Sequence, residues 1–425
     1  MPPLVSIVIP HFNRAKLLHE TLCSLQDQTR GDWEAIVVDD GSTTEEWQQA
    51  QSFADSRVRF LQRVDGTKGP SRCRNLGLAE ASAPYVMFVD SDDLVAPWCL
   101  EHRIPKMEQT PDVAFCVFPV MLFSKTPGDD NRLWNRLEND PVELEKVSGT
   151  LEHSEQLEKI PGPESSRHLF RESELDLDRF LRSDPPWHTS SPLWRQESLL
   201  KLAGFDDQIM YGDDADLHMR ALLKRLPYAK IGAVSKKVSG TLEGSEQLQE
   251  NLMPESSRHF FRSECLPDVF IRRADDIRIT NSLSEQLLVS RVVRLERGTR
   301  LLKEFGTEEQ CQLWAGQYFV EAEFLLFNVP KSRSRQLESL RLWQRDWTPS
   351  VLQRLTARSY FSVARATKKK CYLLLRIARR MAMLVLPESY FPRGGEFESA
   401  VMPEARHRFM IEQLSLNSPA RKKCP

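Results

Sequence analysis

Over roughly the first 125 residues, short apolar runs alternate with amphipathic stretches. Val5–Ile9, Glu34–Val38, Val58–Leu61, Tyr85–Val89 and Val113–Phe118 read as strands. Ala15–Gln28, Thr44–Phe53 and Pro70–Ala81 read as helices between them. Strands that alternate with helices predict an α/β fold, a mostly parallel sheet covered on both faces. From about residue 175 to 226 the pattern turns helical, broken by two polar knots, Trp187–Arg195 and Tyr211–Asp216. Helical patterning dominates beyond about residue 280, which divides the chain into an expected catalytic part, 1–280, and a helical region, 281–425.

One segment occurs twice. Lys146–Leu157 returns as Lys237–Leu248 and Pro163–Arg171 returns as Pro254–Arg262, both at an offset of 91 residues. Two copies are too few for a solenoid, which needs about three units to bury a continuous core. The copies are polar and rich in Glu and Ser, so the insertions near 146–174 and 237–264 are expected to be surface loops. A paired binding element for a partner is the alternative.

Length and charge narrow the class. A chain of 425 residues can bury a sizeable core and exceed one domain. With 58 basic and 60 acidic residues it carries no global polyanion-binding signature, so no nucleic-acid partner is expected. Eight scattered cysteines, without a C-x-x-C pair, fit reduced thiols in a cytoplasm. Neither a signal peptide nor a spanning helix is expected.

Four constellations carry chemistry. Tyr85–Val89 runs into Asp90-Ser91-Asp92-Asp93, three carboxylates crowding the end of an apolar strand. Such charge is costly without a cation, and strand ends of open α/β sheets are where ligands bind. Oxygen ligands suit Mg²⁺ or Mn²⁺ carrying a substrate phosphate. Spacing of two puts Asp90 and Asp92 on one side of an extended chain; the alternative is a capping cluster for the following helix. Val37–Ser42 ends a strand in Asp39-Asp40-Gly41, a turn or a nucleotide contact. Gly69–Asn75 opens a helix with Arg72 and Arg74, which suits a diphosphate or an ordinary solvated helix start. Tyr211–Leu217 offers Asp213, Asp214 and Asp216 as a base or as helix caps.

In order and wording these elements resemble glycosyltransferase family 2, through "VSIVIPHFNRAKLLHETLCSLQDQT", "VVDDGST", "GPSRCRNLGL", "FVDSDDLV" and "GFDDQIMYGDDADLHMR". The resemblance covers residues 4 to about 232, skipping the first repeat copy. It implies a GT-A α/β/α sandwich and transfer of a sugar from a nucleotide-diphosphate donor, a UDP-sugar, with inversion. By position it implies that Pro10 and Phe12 line the nucleotide pocket, that Asp40 contacts the base and that Arg74 lies by the diphosphate. Asp90 and Asp92 become a D-x-D pair for ribose and metal. Asp214 becomes the general base, with Asp213 where the family usually has Glu. Trp187 and His188, with Asp216, fall where the family shapes its acceptor site; core aromatics and a cap are the plain alternative. The implied acceptor is a saccharide or lipid-linked sugar, as in cell-surface polysaccharide or glycolipid synthesis.

The C-terminal part adds a location. Between Arg354 and Arg393 there are ten Lys or Arg and one acid, Glu388, with apolar residues at helical spacing. This fits an anionic membrane surface, a peripheral position on the inner face of the cytoplasmic membrane, or a helix packed on the catalytic part. Two rival functions remain open. A nucleotidyltransferase also places paired carboxylates on an α/β sheet, although Pro10–Arg14 is not its Gly-rich loop. A non-catalytic nucleotide-sugar-binding or membrane scaffold is the other.

Overall fold

All five apolar runs form strands, and their two-residue alternation sorts them onto two cores. In the computed structural model β1 (Val5–His11), β2 (Trp33–Asp39), β3 (Val58–Gln62), β4 (Tyr85–Phe88) and β6 (Phe115–Val117) lie within a residue or two of the expected runs. Helices α1 (Ala15–Gln26), α2 (Thr44–Gln51) and α3 (Pro70–Ala79) connect the first four. The structure describes residues 2–53, 55–63, 66, 68–134, 175–231, 266–273, 284–328, 333–367, 372–387, 390–391, 400–401 and 404–417. Both repeat copies and the expected boundary near 280 lie outside these residues.

The main sheet has seven strands in the order β10-β6-β9-β4-β1-β2-β3, where β9 is Pro192–Arg195 and β10 is Tyr228–Lys230. Four of its six pairings are parallel; β9 runs antiparallel to both β4 and β6. Val8, Val38, Val86 and Phe88 face one core, and Ile7, Ile9, Val37 and Met87 face the other. Burial on both faces explains why these strands read as continuous apolar runs. The second core is closed by α1 and by α4 (Cys99–Gln109) through Leu18, Leu22, Leu100 and Ile104.

The first core extends into the helical region. α5 (Gln196–Lys201) and α6 (Asp213–Leu223) precede a series α7 (Glu285–Phe305), α8 (Glu308–Asn328), α9 (Arg333–Trp347), α10 (Val351–Thr367) and α11 (Tyr372–Ala382). Leu295 and Leu302 of α7 and Trp314 and Tyr318 of α8 share one apolar cluster with the sheet residues Val8 and Phe88. Ser284 caps α7 by accepting from Leu287 N.

Three features depart from expectation. Residues 175–226 are not uniformly helical, because the first polar knot contains β9. Four residues opening on a proline leave too short a pattern to register as a strand, and Pro192 is tolerated at a strand's first position. A second, five-stranded sheet, β12-β8-β7-β11-β5, joins Ala400–Val401, Arg132–Leu133, Val120–Phe123, Val269–Arg272 and Leu94–Val95. A last helix, α12 (Glu404–Asn417), packs Met410 beside that sheet. Finally, Cys73, Cys99, Cys116 and Cys311 are free thiols, but Cys23 is joined in a disulfide, contrary to uniformly reduced cysteines. Spacing along the chain does not reveal which sulfurs a fold brings together.

The approach of α3 to β1 sets the position of the site. A β-carbon at Gly77 would fall 2.3 Å from Val8 Cγ1, inside any real contact. Gly77→Ala is therefore expected to destabilise by about 1–3 kcal/mol through overpacking. In urea denaturation, Val8→Ala added to it should cost less than the two single changes summed. A strictly additive double variant would contradict the contact.

Candidate active site

The turn after β4 meets the N-terminus of α6 through one arginine. Val89 N bonds Val8 O at 3.1 Å, and the chain then turns, Asp93 N donating to Asp90 O at 3.1 Å. Arg74, buried on α3, donates from Nη2 to Asp90 Oδ1 at 2.8 Å and from Nη1 to Asp213 Oδ2 at 2.5 Å. Burial disfavours its charge, but Asp213, Asp90 and Asp214 outweigh that and raise its pKa above the ordinary value. Asp90 shows the converse. Burial pushes its carboxyl up, yet the Arg74 and His188 charges hold it below the usual range. Asp213 also accepts from Ser71 Oγ at 3.1 Å, so it braces the two halves of the site.

Asp90, Asp93 and His188 offer ligand atoms that all lie within 4.8 Å of one another. A divalent metal with ligands at about 2.1 Å places opposite donors roughly 4.2 Å apart, so the set needs little adjustment. Two carboxylate oxygens and one imidazole nitrogen fit Mn²⁺, and fit Mg²⁺ less well because it prefers oxygen. Ser190 N donates to His188 Nδ1 at 3.2 Å, a contact that a metal at that nitrogen would displace. The loop bearing His188 is fixed from beneath by Arg103, which donates to Ser190 O at 3.0 Å and pairs with Asp268 at 2.5 Å, both fully buried.

This grouping differs from the expected one. Asp92, expected with Asp90 at the metal, pairs instead with Arg14 Nη1 at 2.9 Å. The segment is a turn rather than extended chain, so spacing of two no longer puts both carboxylates on one side. Asp93, expected to cap a helix, does not: α4 begins ten residues after Val89, at Cys99, with Trp98 at its cap. Its Oδ1 accepts from Arg272 N at 3.1 Å.

Asp214 sits on the first turn of α6, half-buried, its Oδ1 accepting from Ala215 N at 2.8 Å. Burial and then the Asp213 charge push its pKa up to about 6, against the lowering effect of Arg74. The loop before it depends on the helical region. Gly212 has φ +67°, and a β-carbon there would meet Arg294 Cδ at 3.3 Å. Arg291 lies 4.0 Å over the Tyr211 ring and pairs with Glu321 at 2.7 Å, while Arg294 lies 5.6 Å from the same ring. Nothing in the spacing of Arg291 and Arg294 along α7 announces this role; only packing does.

The remaining expected residues divide. Phe12 is half-exposed beyond β1, with Lys68 Nζ 3.9 Å above its ring, and Pro10 pairs with Val38 in the sheet. Asp40 accepts from Gly69 N at 2.8 Å and is ion-paired to Arg63, while burial raises its pKa. Trp187 cannot stack on a sugar as placed: it is 0% exposed, packed by Phe180 at 5.1 Å and Tyr228 at 5.5 Å. Asp216 is likewise 2% exposed and tied to Arg220 at 2.8 Å, a brace within α6 rather than an acceptor contact. His188 does face the site, and Trp134, unforeseen, stands 4.9 Å from it, half-buried.

Residues 6–175 match the profile described as "Glycosyl transferase family 2". This part of the chain is a family 2 glycosyltransferase domain. The uncharacterized glycosyltransferase EpsJ of Bacillus subtilis is 30% identical over 226 residues, 52% of this chain and 56% of EpsJ. The Escherichia coli protein named UDP-Glc:alpha-D-GlcNAc-diphosphoundecaprenol beta-1,3-glucosyltransferase WfgD is 35% identical over 104 residues, 24% of this chain and 41% of WfgD. The chain thus spans about half or less of these curated relatives. The structure of S. aureus TarS 1-349 in complex with UDP-GlcNAc superposes with TM-score 0.54 over 90% of this chain and 92% of that one. At 15% identity this likeness establishes the fold, a GT-A glycosyltransferase sandwich followed by helices.

Carboxyl-detected NMR is expected to find Asp214 titrating near pH 6. Asp213→Asn removes a charge that raises this pKa and releases Arg74, which lowers it, so the midpoint should move to lower pH. An upward move would contradict the arrangement.

Proposed function

We propose that this protein transfers a sugar from a nucleotide-diphosphate donor, a UDP-sugar, to an acceptor hydroxyl with inversion. The observation that carries the reading is Arg74, which joins Asp90 of a metal-fitting group to Asp213, the neighbour of a carboxyl poised near pH 6. A base with that pKa is ionised at neutral pH and close enough to it to accept a proton well. UDP is favoured because TarS was solved with UDP-GlcNAc and WfgD is named for UDP-Glc. WfgD's name also supports a lipid-linked acceptor in cell-surface polysaccharide synthesis. The same reading places the chain peripherally on the inner face of the cytoplasmic membrane.

Chemically, Asp214 takes the proton of the acceptor hydroxyl as its oxygen bonds to the anomeric carbon. The bond from that carbon to the donor's phosphate oxygen breaks on the opposite face, so configuration inverts and the electron pair leaves with the diphosphate. Asp90, Asp93 and His188 would hold Mn²⁺ or Mg²⁺, which when bound supplies positive charge to the diphosphate. Arg74 keeps Asp90 ionised for that task and holds Asp213 against Asp214. Phe12, exposed beside the end of β1, would serve as a wall for the nucleotide's base.

Asp214→Asn should lower the rate of UDP release by about 10²–10⁴-fold while UDP still binds. In the wild type the rate should fall as pH drops through about 6, where Asp214 takes up its proton. Unchanged turnover in the variant would sink the assignment. Binding of UDP should raise the melting temperature only with Mn²⁺ or Mg²⁺ present, with about 2.7 kcal/mol of stabilisation at a hundredfold excess over Kd. Asp93→Asn and His188→Ala should each abolish the metal-dependent part, and Asp92→Asn should leave it. The reverse ranking would restore Asp92 as the ligand.

A further inference from the structure

The helix α11 leaves an apolar stripe in water. Leu374, Ile377, Met381 and Leu384, at spacings of three and four along the helix and the turn after it, are 51%, 49%, 61% and 76% exposed. The opposite side of the same segment is buried through Ala382 and Leu386. Arg376 and Arg380, both exposed, border the stripe. The helix α10 packs against α11 and repeats the arrangement. Val351, Leu352 and Leu355 are more than half exposed at its start, next to the exposed Arg354 and Arg358. The two helices contain six arginines and no acidic residue. No helix among the described residues is long and apolar enough to cross a membrane.

We propose that the α10–α11 face docks on an anionic lipid bilayer, its leucines, Ile377 and Met381 entering the headgroup boundary while the arginines meet lipid phosphates. Large apolar side chains standing in water at helical spacing mark an interaction surface. An apolar stripe with a cationic border and no acid matches a bilayer surface, which offers both acyl chains and negative charge. A protein partner of ordinary polar composition would leave the arginine border without a counterpart. The face belongs to helices packed on the core that α8 shares with the catalytic sheet, so docking would hold the active site at a fixed attitude to the membrane. This deepens the membrane location in the proposed function, but it is read by binding rather than by turnover, so the two fail separately.

The test is co-sedimentation of the full chain with vesicles of phosphatidylcholine alone or mixed with phosphatidylglycerol. Binding is expected to the mixed vesicles, weakening as salt is raised. Ile377→Glu with Met381→Glu should reduce it at least tenfold. Arg376→Gln with Arg380→Gln should reduce it roughly fivefold per arginine on mixed vesicles, and leave phosphatidylcholine binding unchanged. All four positions are exposed, so melting temperatures should stay at the wild-type value. Wild-type chain that ignores the mixed vesicles, or a double-glutamate variant that binds them fully, overturns the proposal. So does a dimer in size exclusion that the double-glutamate variant dissociates, since the stripe would then be covered by a second copy.

Discussion

A single buried guanidinium organises this molecule's chemistry. Arg74 lies on α3 between a carboxylate at the end of β4 and another at the start of α6. Three acids brought this close would repel one another and take up protons. The arginine holds the Asp90 carboxyl below its usual range, and Asp214 carries the raised pKa. Asp90 and Asp214 thus acquire different proton affinities without any difference in residue type. Removing one member of such a buried cluster strands the charge of the others, and that is costly.

The placement of Arg74 depends in turn on packing. Gly77, one helical turn further on, has no side chain, so α3 presses onto β1 and Arg74 reaches across the strand ends. On the other side, the loop before α6 rests on Arg291 and Arg294 of α7. The helical region is therefore part of what shapes the site, through the apolar cluster it shares with the sheet and through two cations stacked on Tyr211. That contribution falls outside the stretch matched to the family, and so does Asp214 itself.

Much of this was legible in the chain. Strands buried on both faces announce themselves as apolar runs, which is why β1 to β4 and the helices between them were readable. The carboxylate clusters were readable too, because charge beside an apolar strand is unusual enough to need a reason. What could not be read was direction. Asp92 and Asp93 are adjacent, and only the turn decides that one meets Arg14 and the other Asp90 and His188. Trp187 and His188 are adjacent as well, one in the core and one in the site, and composition alone does not separate them. β9 carries too little pattern in four residues to show in the sequence, and the importance of Arg294 arises from a partner some eighty residues away.

The short strand β9 has a wider consequence. It pairs with β4 through Tyr85 with Arg195 and Val86 with Trp194, and it leads toward α6. The turn that bears Asp90 follows one member of this pair, and the chain leads from the other to Asp214. Their mutual distance is thus written in backbone hydrogen bonds of the sheet, not in the hundred or so residues of chain that connect them. Loop closure costs grow only slowly with length. Loops between the two strands can lengthen while Asp90 and Asp214 keep their spacing, so the fold separates what evolution can edit cheaply from what it must hold still.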